Sequence, residues 1–120
     1  MSEVKKLYEL VGIENYSIKG WTGFVPNKYK IIADDDDNVI DIVLDFTAEK
    51  QLELIKWLCD TDYYITEFCR LIDTREYYIE TDYKHFQSSS FEETLAGLVN
   101  KLWQDLTEQE RTEIRSILNG

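Results

Sequence analysis

The sequence predicts an α+β domain: a two-layer fold in which a mostly antiparallel four-stranded sheet carries helices on one face, in the order helix, hairpin, helix, hairpin, helix, helix. Three observations predict it. Two pairs of segments alternate apolar and polar residues around turn-forming residues. Four other segments repeat apolar residues at helical spacing, and the unit strand, strand, helix occurs twice. Hairpins with one apolar face need a single covering layer, which leaves the other side of the sheet open. With 120 residues, 43% of them hydrophobic and 31% charged, the chain suits one domain over residues 1–120, and its core needs neither disulfide nor metal.

Ser2 caps a first helix in which Val4, Leu7, Tyr8 and Val11 recur and which Gly12 closes. Residues 14–26 contain Gly20, Gly23 and Pro26 and read as an ordered loop pinned by Trp21 and Phe24. Residues 28–33 and 39–46 read as strands, the second with Ile40, Ile42, Leu44 and Phe46 on one face and Val39, Asp41, Val43 and Asp45 on the other. If Tyr29, Ile31 and Ala33 match the apolar face, a four-residue turn of Asp34, Asp35, Asp36 and Asp37 sets the register and places Lys30 opposite Asp41.

Thr47 caps a second helix over about residues 48–60, with Ala48, Leu52, Ile55, Leu58 and Cys59 as its apolar arc. Burial of Leu52, Ile55 and Leu58 at ~1.5–3 kcal/mol each would hold it on the sheet. Trp57 falls at the margin of the arc, as a surface aromatic. Residues 63–72 and 76–82 form a second hairpin around Asp73, Thr74 and Arg75. In its last strand Tyr77, Ile79 and Thr81 share one face, and Glu76, Tyr78, Glu80 and Asp82 share the other. Ser89 with Glu92, or Ser90 with Glu93, is a capping box ahead of Phe91, Leu95, Leu98, Val99, Leu102 and Leu106. Thr107 with Glu110 starts a last helix over residues 108–118.

The net charge of -11 is concentrated in residues 34–82, where 15 carboxylates oppose Lys50, Lys56, Arg70 and Arg75. A face this negative repels bare nucleic acid and attracts basic protein surfaces, and it serves solubility equally well. Two cysteines and one histidine leave little for catalysis. Cys59 falls on the apolar arc, Cys69 in a strand and His85 in a polar loop, so no nucleophilic constellation forms, and no phosphate-cradling glycine loop occurs. Asp34, Asp36 and Asn38, with Asp45, occupy places of a calcium loop, but Val39 stands where such a loop turns on glycine. No enzyme, metal or cofactor is expected. Tyr63, Tyr64, Tyr77, Tyr78 and Tyr83 cluster around the second hairpin. Tyr64 or Tyr78 beside Glu76, Glu80 and Asp82 suits a hot spot for a basic partner, and cross-strand packing accounts for the cluster as well.

The segments FTAEKQLELIKWL (residues 46–58) and SFEETLAGLVNKLWQDLTEQE (residues 90–110) resemble parts of small acidic uncharacterised proteins encoded by bacteriophages and prophages. The resemblance implies a place in the bacterial host cytoplasm and an anti-defence role, of the anti-CRISPR kind among others, exercised by occupying a surface of a host protein. Joined to the charge map, it yields the expectation of a non-enzymatic inhibitor that binds a basic surface of a host defence or nucleic-acid-processing complex. Neither a membrane nor direct nucleic-acid binding is expected, since no run of ~20 apolar residues could span a bilayer and the opening MSEVKKLYEL lacks a secretion signal. Asp41, Asp45, Glu76, Glu80 and Asp82 would supply the charge, with Tyr78 and Trp57 as aromatic anchors. Same-face residues ~6.8 Å apart along a strand approach two steps of a DNA strand, so the face could mimic phosphates in a limited way. Two other readings are an immunity or antitoxin-type protein that plugs a toxin, and a binder of nucleotide signals around Lys19, Lys28 and Lys30.

Overall fold

The structure, a computed structural model, describes residues 2–12, 29–44, 46–61, 63 and 65–119. The expected loop over residues 14–26, and with it Lys19 and Lys28, lies outside the described residues, as do Asp45 and Tyr64. The fold is α+β, running α1 (Glu3–Leu10), β1 (Tyr29–Ala33), β2 (Val39–Leu44), α2 (Ala48–Asp60), β3 (Ile65–Arg70), β4 (Tyr77–Thr81), β5 (His85–Ser88), α3 (Phe91–Leu102), a 3₁₀ turn (Trp103–Asp105) and α4 (Glu108–Asn119). No described helix is long and apolar enough to cross a membrane.

Both expected hairpins form, but they do not share a sheet. Among the described residues β1 and β2 pair only with each other, and β3, β4 and β5 make a separate antiparallel sheet in that order. The single four-stranded sheet is therefore replaced by a two-stranded and a three-stranded one. The third strand arises after Thr81, where the sequence reads as a polar loop. Thr81 Oγ1 accepts from the backbone N–H groups of Tyr83 and Lys84 at 3.2 and 3.1 Å, and the Thr81 N–H donates to the Lys84 carbonyl at 2.8 Å. This tight turn returns the chain as β5, which pairs with the edge of β4 and gives the second hairpin its own third strand.

The first hairpin differs in register. Lys30 stands opposite Val43 and Asp41 opposite Ile32, so Lys30 does not face Asp41 across the ladder, although Ile31 is still in register with Ile42. Asp34 Oδ1 accepts from the N–H groups of Asp36 and Asn38 at 3.0 and 2.9 Å, and Asp37 adopts a left-handed φ of 62°. The connection thus takes in Asn38 as well, and an irregularity between Ile32 and Ala33 absorbs the odd residue. Asp34, the first residue of the calcium-like motif, thus caps its own turn through Oδ1.

Thr47 caps α2 as the sequence implies, its Oγ1 accepting from the Lys50 N–H at 3.3 Å. The helix, however, is rotated about its axis. Leu54 and Leu58 are fully buried and Ile55 partly, whereas Leu52 is 52% exposed and Cys59 is exposed. Leu52 lies two residues from Leu54 and so on the far side of the helix from the Leu54–Leu58 stripe.

Of the two possible caps for α3, Ser90 is the one used, its Oγ accepting from the Glu93 N–H at 3.4 Å. Leu95, Ala96, Leu98 and Val99 are wholly buried, because α3 has α1 on one side and β4 and β5 on another. Gly97 permits the closest approach: a Cβ there would lie 2.3 Å from Phe86 Cε1 of β5. Ser2 Oγ donates to Glu93 Oε1 at 2.8 Å, and Asn100 Nδ2 donates to the carbonyl and carboxylate of Glu3 at 2.9 and 2.7 Å, which fixes α1 on α3. The expected run to Leu106 stops at Leu102, where the 3₁₀ turn begins, and the Arg111 guanidinium donates to the Trp103 carbonyl at 3.1 and 2.9 Å. The Thr107–Glu110 box is complete in both directions, at 2.8 and 3.2 Å. Arg115 Nε donates to the Val11 carbonyl at 2.6 Å and ties α4 to the end of α1.

Candidate docking face

The pleat of the three-stranded sheet separates two chemistries. Ile79 and Thr81 are buried on the α3 side, with Phe68 and Phe86 opposite Ile79 on either neighbour. The same side holds Tyr77, whose ring meets Phe91 at 5.8 Å. The alternate residues point the other way and carry the carboxylates of the sheet. In one row Cys69, Tyr78 and Gln87 stand side by side; in the next stand Glu67, Glu80 and His85.

Hydrogen bonds lock this outer face. The Tyr78 hydroxyl donates to Glu80 Oε1, and Gln87 Nε2 donates to Glu76 Oε1 at 2.9 Å. His85 stacks on the Tyr78 ring, with centroids 5.8 Å apart and planes 29° from parallel. The hydrogen bond to Glu80 is the main reason the Tyr78 phenol is pushed up to about 12; partial burial and the negative charges of Glu80, Glu67 and Cys69 add to it. Glu67 and Glu80 oppose each other directly across the ladder, a like-charge arrangement that a sheet tolerates only at some expense of stability. The face is therefore a half-buried aromatic ring set among Glu67, Glu76 and Glu80.

Comparison of the chain with protein-family models, curated proteins and solved structures gives no match.

The site residues that the sequence singles out divide into three groups. Glu76, Tyr78 and Glu80 come together on the outer face, and Asp82 is exposed in the turn that leads to β5. Asp41 stands in the other sheet, opposite Ile32, and Asp45 lies outside the described residues. Trp57 is on α2, packed against the core, with its Nε1 donating to Glu113 Oε2 of α4 at 2.7 Å. The two hairpins thus do not share one sheet face among the described residues, and the outer-face carboxylates Glu67, Glu76 and Glu80 all belong to the second hairpin. Tyr63 is likewise tied inward, donating to the Asp105 carbonyl at 2.7 Å and meeting Tyr83 at 5.4 Å.

Sequence reasoning missed Glu67, His85 and Gln87. Glu67 was legible, since it alternates with Phe68 in a strand already recognised. His85 and Gln87 were not, because their side of the sheet is defined only once β5 is paired. The corrected position of His85 brings it onto the same face as Cys69, but two strands away, with Tyr78 and Glu80 between them. Cys69 Sγ is directed instead to Glu67 Oε1 at 3.9 Å. No group of three or more metal-ligating side chains occurs among the described residues.

Proposed function

We propose that this protein is a non-enzymatic binding protein that docks the outer face of its three-stranded sheet onto a basic surface of a partner protein. One observation carries the reading: Glu67 and Glu80 are set opposite each other on a face that α3 does not cover, beside the Tyr78 ring and Glu76. Placing like charges across a ladder opposes folding, whereas a ring of lysines or arginines facing them turns the same arrangement to advantage. Tyr78 and the stacked His85 give a rigid aromatic centre, and rigid aromatics lose little conformational entropy on binding.

In the setting implied by the resemblance to phage proteins, the partner is a host defence or nucleic-acid-processing complex in the bacterial cytoplasm, and docking blocks its nucleic-acid surface. The extent of the acidic face along β4 suits partial mimicry of a phosphate strand. Trp57 does not belong to this contact, because its indole N–H is satisfied by Glu113 on a helix.

The experiment is a binding titration against a partner purified from bacterial lysate on the immobilised protein, at low and high salt, with the triple reversal of Glu67, Glu76 and Glu80 to lysine. The expected result is a steep loss of affinity with salt for the native protein and a loss of about tenfold or more in the variant. A partner that binds the variant equally well, with the same salt dependence, would overturn the proposal.

A further inference from the structure

We propose that the tip of the β3–β4 hairpin is a second binding site, which takes a single carboxylate carried on an apolar segment of a partner protein. Arg70, Leu71, Ile72 and Arg75 line an open cavity of about 280 Å³ at this tip. Two arginines therefore line one space, with Leu71 and Ile72 as the rest of its wall. Among the described residues neither arginine lies within ion-pair distance of a carboxylate, although the surrounding residues 34–82 carry the whole negative excess of the chain. Arg70 is held in place from both sides: its Nε is directed at the Arg75 carbonyl at 3.5 Å, and its guanidinium carbon sits 5.7 Å from the centre of the Tyr77 ring.

The apolar part is equally unusual for a surface. Ile72 is 92% exposed at the tip, and Phe68, farther along β3, is 51% exposed with its ring 5.4 Å from Phe91. Arg75 adopts a left-handed φ of 59°, a conformation that residues with a Cβ seldom take. The hairpin closes around it, with the Leu71 N–H donating to the Glu76 carbonyl at 2.7 Å and the Glu76 N–H to Thr74 Oγ1 at 3.3 Å. The turn thus presents Arg70 and Arg75 together at the price of an unfavourable backbone.

Charge decides the class of ligand. Guanidinium forks match a planar carboxylate, and the exposed Ile72 and Leu71 match apolar side chains next to it. A polyanion such as nucleic acid would meet the repulsion of a chain with net charge -11, whereas one carboxylate bears little of it. Of the carboxylates next to the tip, that of Glu76 accepts from Gln87 Nε2 on the outer face, and Asp73 is exposed in the turn itself.

The test is an NMR titration of the isotopically labelled protein with N-acetyl-trileucine, its carboxamide and inorganic phosphate. The free acid is expected to shift the amide signals of Leu71, Ile72 and Arg75, with the carboxamide about tenfold weaker, since it lacks the charge-assisted bonds. Arg70→Gln with Arg75→Gln should remove the preference for the acid, and Ile72→Ser should weaken both peptides. All three changes are on the exposed hairpin end, so signals of buried Leu95 and Leu98 report that the fold is retained. Equal binding of acid and carboxamide, phosphate competing as well as the peptide, or shifts confined to other residues would overturn the proposal. So would sedimentation showing a dimer of this chain that the double arginine variant dissolves.

Discussion

Glu67 stands directly opposite Glu80 across the β3–β4 ladder, so two carboxylates are held side by side on the uncovered face of the sheet. Relief of that opposition should stabilise the free protein. Glu67→Lys is expected to raise the unfolding free energy by ~0.2–1 kcal/mol in urea denaturation, because it replaces a like-charge pair with an opposite one. The same variant should bind a basic partner more weakly, so stability and affinity move in opposite directions.

Tyr78 offers a spectroscopic handle on the same face. Its phenol is raised from 10.0 to about 12, first by the hydrogen bond to Glu80, then by burial and the neighbouring negative charges. In the unfolded chain it ionises near the ordinary value, so between the two the unfolded state holds fewer protons than the native one. The contribution of Tyr78 is present in full below pH 10.0 and is lost as pH rises through about 12. Ultraviolet titration of phenolate should show a late step that Glu80→Gln moves back toward the ordinary range.

The rotation of α2 is tested by two leucines. Leu54→Ala should cost ~2–5 kcal/mol, since the side chain is wholly buried, whereas Leu52→Ala at a half-exposed position should stay within ~0.5 kcal/mol. Chemical denaturation of the two variants side by side distinguishes the observed helix orientation from the one in which Leu52 packs inward.

Gly97 and Phe86 form a complementary pair. Gly97→Ala places a methyl group 2.3 Å from Phe86 Cε1 and should destabilise the protein by ~1–3 kcal/mol. Combining it with Phe86→Leu should recover part of the loss, which a double-mutant cycle of unfolding free energies would show.

Trp57 is expected to act in stability. Trp57→Phe removes the indole N–H that reaches Glu113 and should cost ~1 kcal/mol in denaturation, with affinity for a basic partner unchanged. A fall in affinity without a fall in stability would return Trp57 to the docking surface.

Local chemistry made much of the fold readable. Ser2, Thr47 and Thr107 are caps because a short hydroxyl side chain ahead of an apolar repeat can satisfy the first helical N–H groups, and each is used as such. The alternation from Glu76 to Thr81 likewise placed Tyr78 and Glu80 on one face and Ile79 on the other before any partner strand was known. These signals depend on residues within a few positions of one another.

What the sequence by itself determined, then, was the kind and order of the main elements, the caps, and an acidic strand face around Tyr78. Tertiary structure alone decided that α2 buries Leu54 in place of Leu52, that β5 completes a three-stranded sheet, and that His85 lies on Tyr78 while Asp41 belongs to a different ribbon. The physical reason is that periodicity marks which residues can share a face, but the neighbour that covers the face is chosen by packing and by ladder edges contributed from distant parts of the chain.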